Sequence, residues 1–154
     1  FFDIGYAYIR LEKFELAKVD METQLEITPR DFKSLANLIN IKKKLELFEE
    51  ALIDYERAVA DFPNQPNLHI LYNNRASLYR EIDDYDRALV EINKALQIER
   101  KYDIGLFNRA GIYLSLGKNK KACRDFNKAM KLNLTQNIFF EADEDFDKLI
   151  QICQ

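Results

Sequence analysis

Few residues in this chain of 154 have the type and spacing for bond-breaking chemistry. His69 is the only histidine, and it lies beside Pro63-Asn64-Gln65-Pro66, where it suits a loop or a helix start better than a general base. No Ser/His/Asp or Cys/His set can be built around it. Cys123 and Cys153 form neither a CxxC pair nor a disulfide-scaffold pattern, and two separated thiols cannot hold a structural zinc ion. They read as free cysteines in structural or incidental positions, which favours a reducing compartment and a cytoplasmic location. Gly5, Gly105, Gly111 and Gly117 make no phosphate-cradling loop, and the acids between 141 and 147 lack calcium-loop spacing. The expectation is a protein with no catalytic set, no metal and no cofactor.

Composition narrows the alternatives. Lys and Arg number 23 against 26 Asp and Glu, for a net charge of −3, so nucleic acid is not an expected partner. No window approaches the roughly 18 apolar residues of a membrane span. The apolar fraction of 47% suits a folded chain, and only 4 Gly and 3 Pro leave little material for the many turns of a sandwich, barrel or doubly wound sheet. Helices joined by short connections are expected. The chain opens on Phe1 in mid-pattern, which reads as a piece of something longer.

An internal repeat supplies the elements. Ala17, Ala51, Ala88 and Ala122 are spaced by 34, 37 and 34 residues, and the middle interval takes its three extra residues near Pro63–Pro66. Four residues after each alanine come Met21, Tyr55, Ile92 and Phe126; seven after come Gln24, Ala58, Ala95 and Ala129. Twelve before come Gly5, Ile39, Ala76 and Ala110, and nine before come Tyr8, Lys42, Tyr79 and Tyr113. The local period is helical, so each unit is a helix A, a tight turn and a helix B. Helix A is predicted at about 1–11, 32–45, 67–81 and 103–115, and helix B at about 14–27, 48–62, 85–98 and 119–132. The repeats run at about 1–31, 32–66, 67–102 and 103–136 within a single helical-repeat domain. Small residues on A face small residues on B and let the two backbones approach, and stacked pairs share one core. From 137 to 153 an apolar stripe of Phe139, Ala142, Phe146, Leu149, Ile150 and Cys153 predicts a capping helix on the fourth repeat; the first helix of a fifth repeat is the other reading.

The order of small, tyrosine, alanine, large, alanine and proline resembles the tetratricopeptide repeat. "NRASLYREIDDYDRALVEINKAL" and "NRAGIYLSLGKNKKACRDFNKAM" carry it nearly in full, and the resemblance covers about residues 1–134. Ile39 and Lys42 in repeat two, Gln24 in repeat one, and Asn119 and Leu134 in repeat four depart from it. The resemblance implies an all-α solenoid, a right-handed superhelix of antiparallel helix pairs, whose A helices line a concave peptide-binding groove. The groove positions fall on Lys33, Asn37, Asn40 and Lys44 in repeat two, on Asn73, Asn74 and Arg80 in repeat three, and on Phe107 and Asn108 in repeat four. Asn37, Asn74 and Asn108 are equivalent and resemble the asparagine ladders of some peptide-binding members, whose carboxamides pair with a peptide backbone; such an asparagine can also serve only to pack the hairpin. Members that clamp the terminal carboxylate of chaperones place bases where this chain has Ala36, Ile104 and Asn108, so that specificity is not expected. A ligand with an apolar anchor and an acidic flank suits the mixture of Arg80, Lys33 and Lys44 with Phe107, Ile104 and Leu114.

The resulting expectation is a protein–protein interaction module for a peptide or partner protein. Two alternatives stay open. The repeats could self-associate through Phe1, Phe2 and Tyr6, or the segment could recruit substrate for a larger enzyme or for a secretion or assembly protein.

Overall fold

A computed structural model of the chain describes residues 12–132 and 144–153. The predicted helix at 1–11, with Phe1, Phe2 and Tyr6, and the first part of the 137–153 helix lie outside the described residues. Among the described residues there are eight helices and no strand: α1 (Phe14–Ile27), α2 (Phe32–Lys44), α3 (Phe48–Asp61), α4 (Leu68–Glu81), α5 (Tyr85–Ile98), α6 (Asp103–Ser115), α7 (Asn119–Lys131) and α8 (Glu144–Ile152). The predicted helices between 14 and 132 agree with these ends to within a residue. The chain forms two compact units, Phe1–Pro66 and Asn67–Gln154, divided at the end of the Pro63–Pro66 insertion.

In the first unit α2 packs on both α1 and α3. Ala17, Ala51 and Ala58 have no exposed surface, and Met21, Leu35, Ile39 and Tyr55 fill the space around them. Ile39 replaces the expected small residue and is nevertheless buried. Burying each of the larger side chains stabilises the unit by about 1.5–3 kcal/mol. Asp31 caps α2: its carboxylate accepts from the Lys33 and Ser34 amides and from the Ser34 hydroxyl. The Ser34 hydrogen bond, chiefly, holds the Asp31 carboxyl below its ordinary 3.8 despite burial acting the other way. The cap's contribution is therefore present above that ordinary value and fades as pH falls through the lowered one. Asp31→Ala should cost about 1 kcal/mol by thermal or urea denaturation at neutral pH, and less once the carboxyl is protonated.

In the second unit α4 pairs with α5 and α6 with α7; α5 packs on α6, and α8 lies on α6 and α7. Ala76, Ala88, Ala95, Ala110, Ala122 and Ala129 are fully buried, with Leu78, Ile92, Leu106 and Phe126 around them. Three A-to-B turns share one device. Glu46, Asp83 and Gly117 occupy equivalent positions with φ of 58°, 59° and 67°. Each is followed by a residue whose amide donates back to the helix: Leu47 to the Lys42 carbonyl, Asp84 to Tyr79 and Lys118 to Tyr113. Glu12, at the same place in repeat one, has φ 55°. Only repeat four uses glycine, so the other turns accept a backbone conformation that costs an ordinary residue about 1–2 kcal/mol.

A periodic ion pair joins A to B. Arg75 donates through Nε to Glu91 at 2.8 Å and also through Nη2. Arg109, one repeat on, donates through Nε and Nη2 to Asp125 at 2.6 and 2.9 Å, and through Nη1 to Asn93 of α5 at 2.7 Å. Burial pulls the Arg109 pKa down, but its bonds to Asp125 outweigh this and the net shift is upward. In repeat two the equivalent arginine position is Leu38. There Lys42, one helical turn later, supplies the cation to Asp54 at 2.6 Å and to Glu50 at 3.4 Å. In sequence Lys42 is a departure from the repeat; in the structure it is a relocated charge.

The reading of free thiols is overturned: Cys123 and Cys153 form a disulfide. Residues 30 apart meet because α8 folds back onto α7, bringing their Cα atoms to 5.1 Å. Sequence spacing alone could not show that return, and the cytoplasmic expectation loses the support it drew from free thiols.

Candidate functional site

The residues expected to bind divide between the two units. Lys33, Asn37, Asn40 and Lys44 all lie on α2 in the first. Lys33, Asn40 and Lys44 are exposed; Asn37 is half-buried, and its Nδ2 is enclosed without a hydrogen-bond acceptor. Asn73, Asn74 and Arg80 on α4, with Phe107 and Asn108 on α6, fall in the second unit.

In that unit the A helices α4 and α6 lie side by side. Asn108 donates from Nδ2 to Asn73 Oδ1 at 2.7 Å, and Asn73 donates from Nδ2 to Asn74 Oδ1 at 3.3 Å. Asn73 is only 4% exposed and serves as the internal link. The chain of carboxamides leaves the Asn74 amide nitrogen as a donor and the Asn108 oxygen as an acceptor. Beside them Ser77, Arg80, Glu81, Asn108 and Ser115, with Asp83 of the turn and Tyr85 at the start of α5, line an open cleft of about 460 Å³. Tyr85 donates to Asp83 at 2.6 Å, and that bond raises the phenol pKa. The cleft therefore offers hydrogen-bonding groups, one guanidinium and the carboxylates of Glu81 and Asp83. Among the described residues no group of acids, histidines and cysteines is placed to hold a metal. No helix among them is long and apolar enough to cross a membrane.

Phe107 does not form an open apolar wall. It is 2% exposed, and its ring lies 6.4 Å from Phe126 and 6.2 Å from Phe146 of α8. Arg80 forms an ion pair with Asp145 of the same helix. Gly111 on α6 gives this helix its room: a Cβ there would stand 2.7 Å from Asp145 Oδ2 and 3.0 Å from Arg80 Nη1. Two of the expected binding residues are thus engaged by the chain's own C-terminal helix, an arrangement that periodicity cannot reveal. At the other end of α6, Tyr102 closes over Gly105 and packs edge-on against His69 at 4.9 Å. Burial pushes the Tyr102 phenol up to about 12, with Asp103 adding to the shift. His69 is therefore part of a ring contact at the foot of α4.

The Tetratricopeptide repeat family model matches residues 1–31, 70–102 and 105–136. These segments make up more than half of the chain, and it belongs to that family, whose repeats serve as protein–protein interaction scaffolds. Repeat two, which carries Ile39 and Lys42, is the unmatched one. Human Serine/threonine-protein phosphatase 5 is 31% identical over 83 residues, covering 51% of this chain and 17% of that protein. The chain spans about a sixth of the length of such curated relatives. A solved tetratricopeptide repeat protein from Parabacteroides merdae superposes with a TM-score of 0.79 at 23% identity, over 98% of this chain and 56% of its own. The first TPR of Spaghetti (RPAP3), solved bound to an HSP90 peptide, superposes with a TM-score of 0.65 at 22% identity, over 79% of this chain and 89% of its own.

Proposed function

We propose that the chain is a non-catalytic binding module that holds a peptide segment of a partner protein along the face shared by α4 and α6. The observation that carries this reading is the carboxamide chain Asn108–Asn73–Asn74. It fixes one donor and one acceptor at the spacing of neighbouring repeats, next to the Arg80 guanidinium. Such a pair recognises backbone and reads little side-chain sequence, so affinity and selectivity come from Arg80 and the polar groups lining the cleft beside it. The solved relative bound to an HSP90 peptide shows that this fold can hold a short acidic peptide. In this chain Ala36, Ile104 and Asn108 stand at the basic clamp positions, which favours a partner engaged through an internal segment. The remaining expected contacts, Lys33, Asn37, Asn40 and Lys44, lie on α2 of the first unit and would form a surface of that unit's own.

The test is partner capture with the 154-residue chain as bait, comparing it with Asn74→Ala plus Asn108→Ala. Two lost hydrogen bonds should weaken capture by about 10- to 100-fold, with helix content unchanged by circular dichroism. Capture that is insensitive to the double change would reject this face.

A further inference from the structure

The helix α8 has the properties of a ligand already seated on this face. It places an acid and an aromatic ring at adjacent positions. Asp145 pairs with Arg80, and Phe146 stands edge-on to Phe126 at 5.7 Å and tilted against Phe107 at 6.2 Å. Leu149, fully buried one turn later, completes the contact. The rest of α8 is marginal as a core element. It is nine residues long, shorter than an isolated helix needs in water, and Ile150 and Ile152 remain about 40% exposed. Ile150 was expected in the buried stripe and is outside it. Gly111 leaves space for the acid at a point on α6 where a Cβ would crowd it. The helix is held by one covalent bond, the Cys123–Cys153 disulfide, and both cysteines are only half-buried.

We propose that α8 is a built-in competitor on the α4–α6 face, locked by the Cys123–Cys153 disulfide, and that reduction opens the place to a partner helix carrying an Asp-Phe pair. The inference rests on the binding reading above and names the partner's chemistry. An acid for Arg80 and, on the next residue, a ring for the Phe107–Phe126 pocket define the motif. The occupant is a helical segment of another protein, since the place is shaped for one turn of helix. Opening is thiol–disulfide exchange with a dithiol reductant. A thiolate of the reductant attacks one sulfur of the pair, and the other cysteine leaves as a thiolate and takes a proton. The second thiol of the reductant then closes on the mixed disulfide and releases the remaining cysteine. Two electrons and two protons pass to the protein, and the reductant ends as a disulfide. Once free, α8 competes only at the effective concentration of a tethered segment, on the millimolar scale.

The probe is a fluorescein-labelled peptide of residues 144–153 carrying Cys153→Ser, titrated by anisotropy into the whole chain. Reduced chain, or the Cys153→Ser chain, should bind it at least about tenfold more tightly than oxidised chain. Asp145→Asn or Phe146→Ala in the peptide, or Arg80→Gln in the chain, should weaken binding about tenfold or more. Hydrogen exchange across 144–153 should accelerate on reduction while α6 and α7 stay protected. Equal binding by oxidised and reduced chain overturns the proposal, as does indifference to the Asp145 and Phe146 changes. A reduced chain that forms a dimer by exchanging α8 assigns the place to a second copy and also overturns it. Partner capture that still depends on Asn74 and Asn108 would leave the binding reading standing after such a failure.

Discussion

Arg75→Met should destabilise the second unit by about 3–5 kcal/mol, among the largest losses available to a single substitution in this chain. Arg75 and Glu91 are 7% and 5% exposed, and their side chains meet through two hydrogen bonds. Methionine matches the arginine stem in length but leaves the Glu91 carboxylate enclosed with only Lys94, whose Nζ reaches Oε1 at 2.8 Å from the partly exposed side. The loss is mainly the cost of an uncompensated buried charge. Arg75→Met with Glu91→Leu should therefore recover most of it, because an apolar pair of similar volume is often as stable as the ion pair. Urea denaturation measures both variants, and hydrogen exchange should place the weakened protection of the single variant in α4 and α5 before α7. A cost below about 1 kcal/mol for Arg75→Met would mean that the pair is not fixing the α4–α5 hairpin.

What sequence made legible follows from what a period can encode. Ala17, Ala51, Ala88 and Ala122 recur because two helix backbones must touch there, and each is fully buried. Helix ends followed from the same register. The ion pairs have half of a periodic signature: three residues after each repeat alanine stands an acid, Asp20, Asp54, Glu91 or Asp125. Its cation lies on the other helix, 12 or 16 residues earlier, and only the structure shows that the partner moves from Leu38 to Lys42 in repeat two. Asp20 has no equivalent arginine, since that position is Ile4, and its Oδ2 is enclosed without a hydrogen bond. The register places every turn, but a left-handed residue is announced only at Gly117. Glu46 and Asp83 adopt the same left-handed φ as Gly117, but their residue types give no hint of it.

For the candidate site, register identifies which side chains share a helix face and leaves open what covers that face. Of the equivalent residues Asn37, Asn74 and Asn108, the first lies in the other unit, and Asn108 bonds to Asn73, which links it to Asn74. Arg80 and Phe107 are placed on the same face and are both engaged by α8. That engagement depends on a chain reversal after repeat four and on the Cys123–Cys153 bond, neither of which has a periodic signature.

Repeat two offers the sharpest test of whether the buried ion pair or the aromatic packing matters more at this fold's A–B contact. Lys42→Tyr restores the residue found at the equivalent positions Tyr79 and Tyr113, so a purely packing-based account expects a gain. We expect a loss of about 3 kcal/mol instead, because Asp54, only 8% exposed, would lose its 2.6 Å partner. Leu38→Arg alone should also destabilise, by about 1–3 kcal/mol, since it overfills a buried site and sets a second cation one helical turn from Lys42. Combined, the two changes rebuild the arrangement of Arg75 with Glu91 and Arg109 with Asp125, and the double variant should return to within about 1 kcal/mol of the parent chain. The informative quantity is the coupling in this cycle, about 3–6 kcal/mol in favour of the pair, read from urea midpoints at constant m. Additive losses would show that a cation at position 38 does not reach Asp54, whereas no loss from Lys42→Tyr alone would show that Asp54 tolerates burial without a cation.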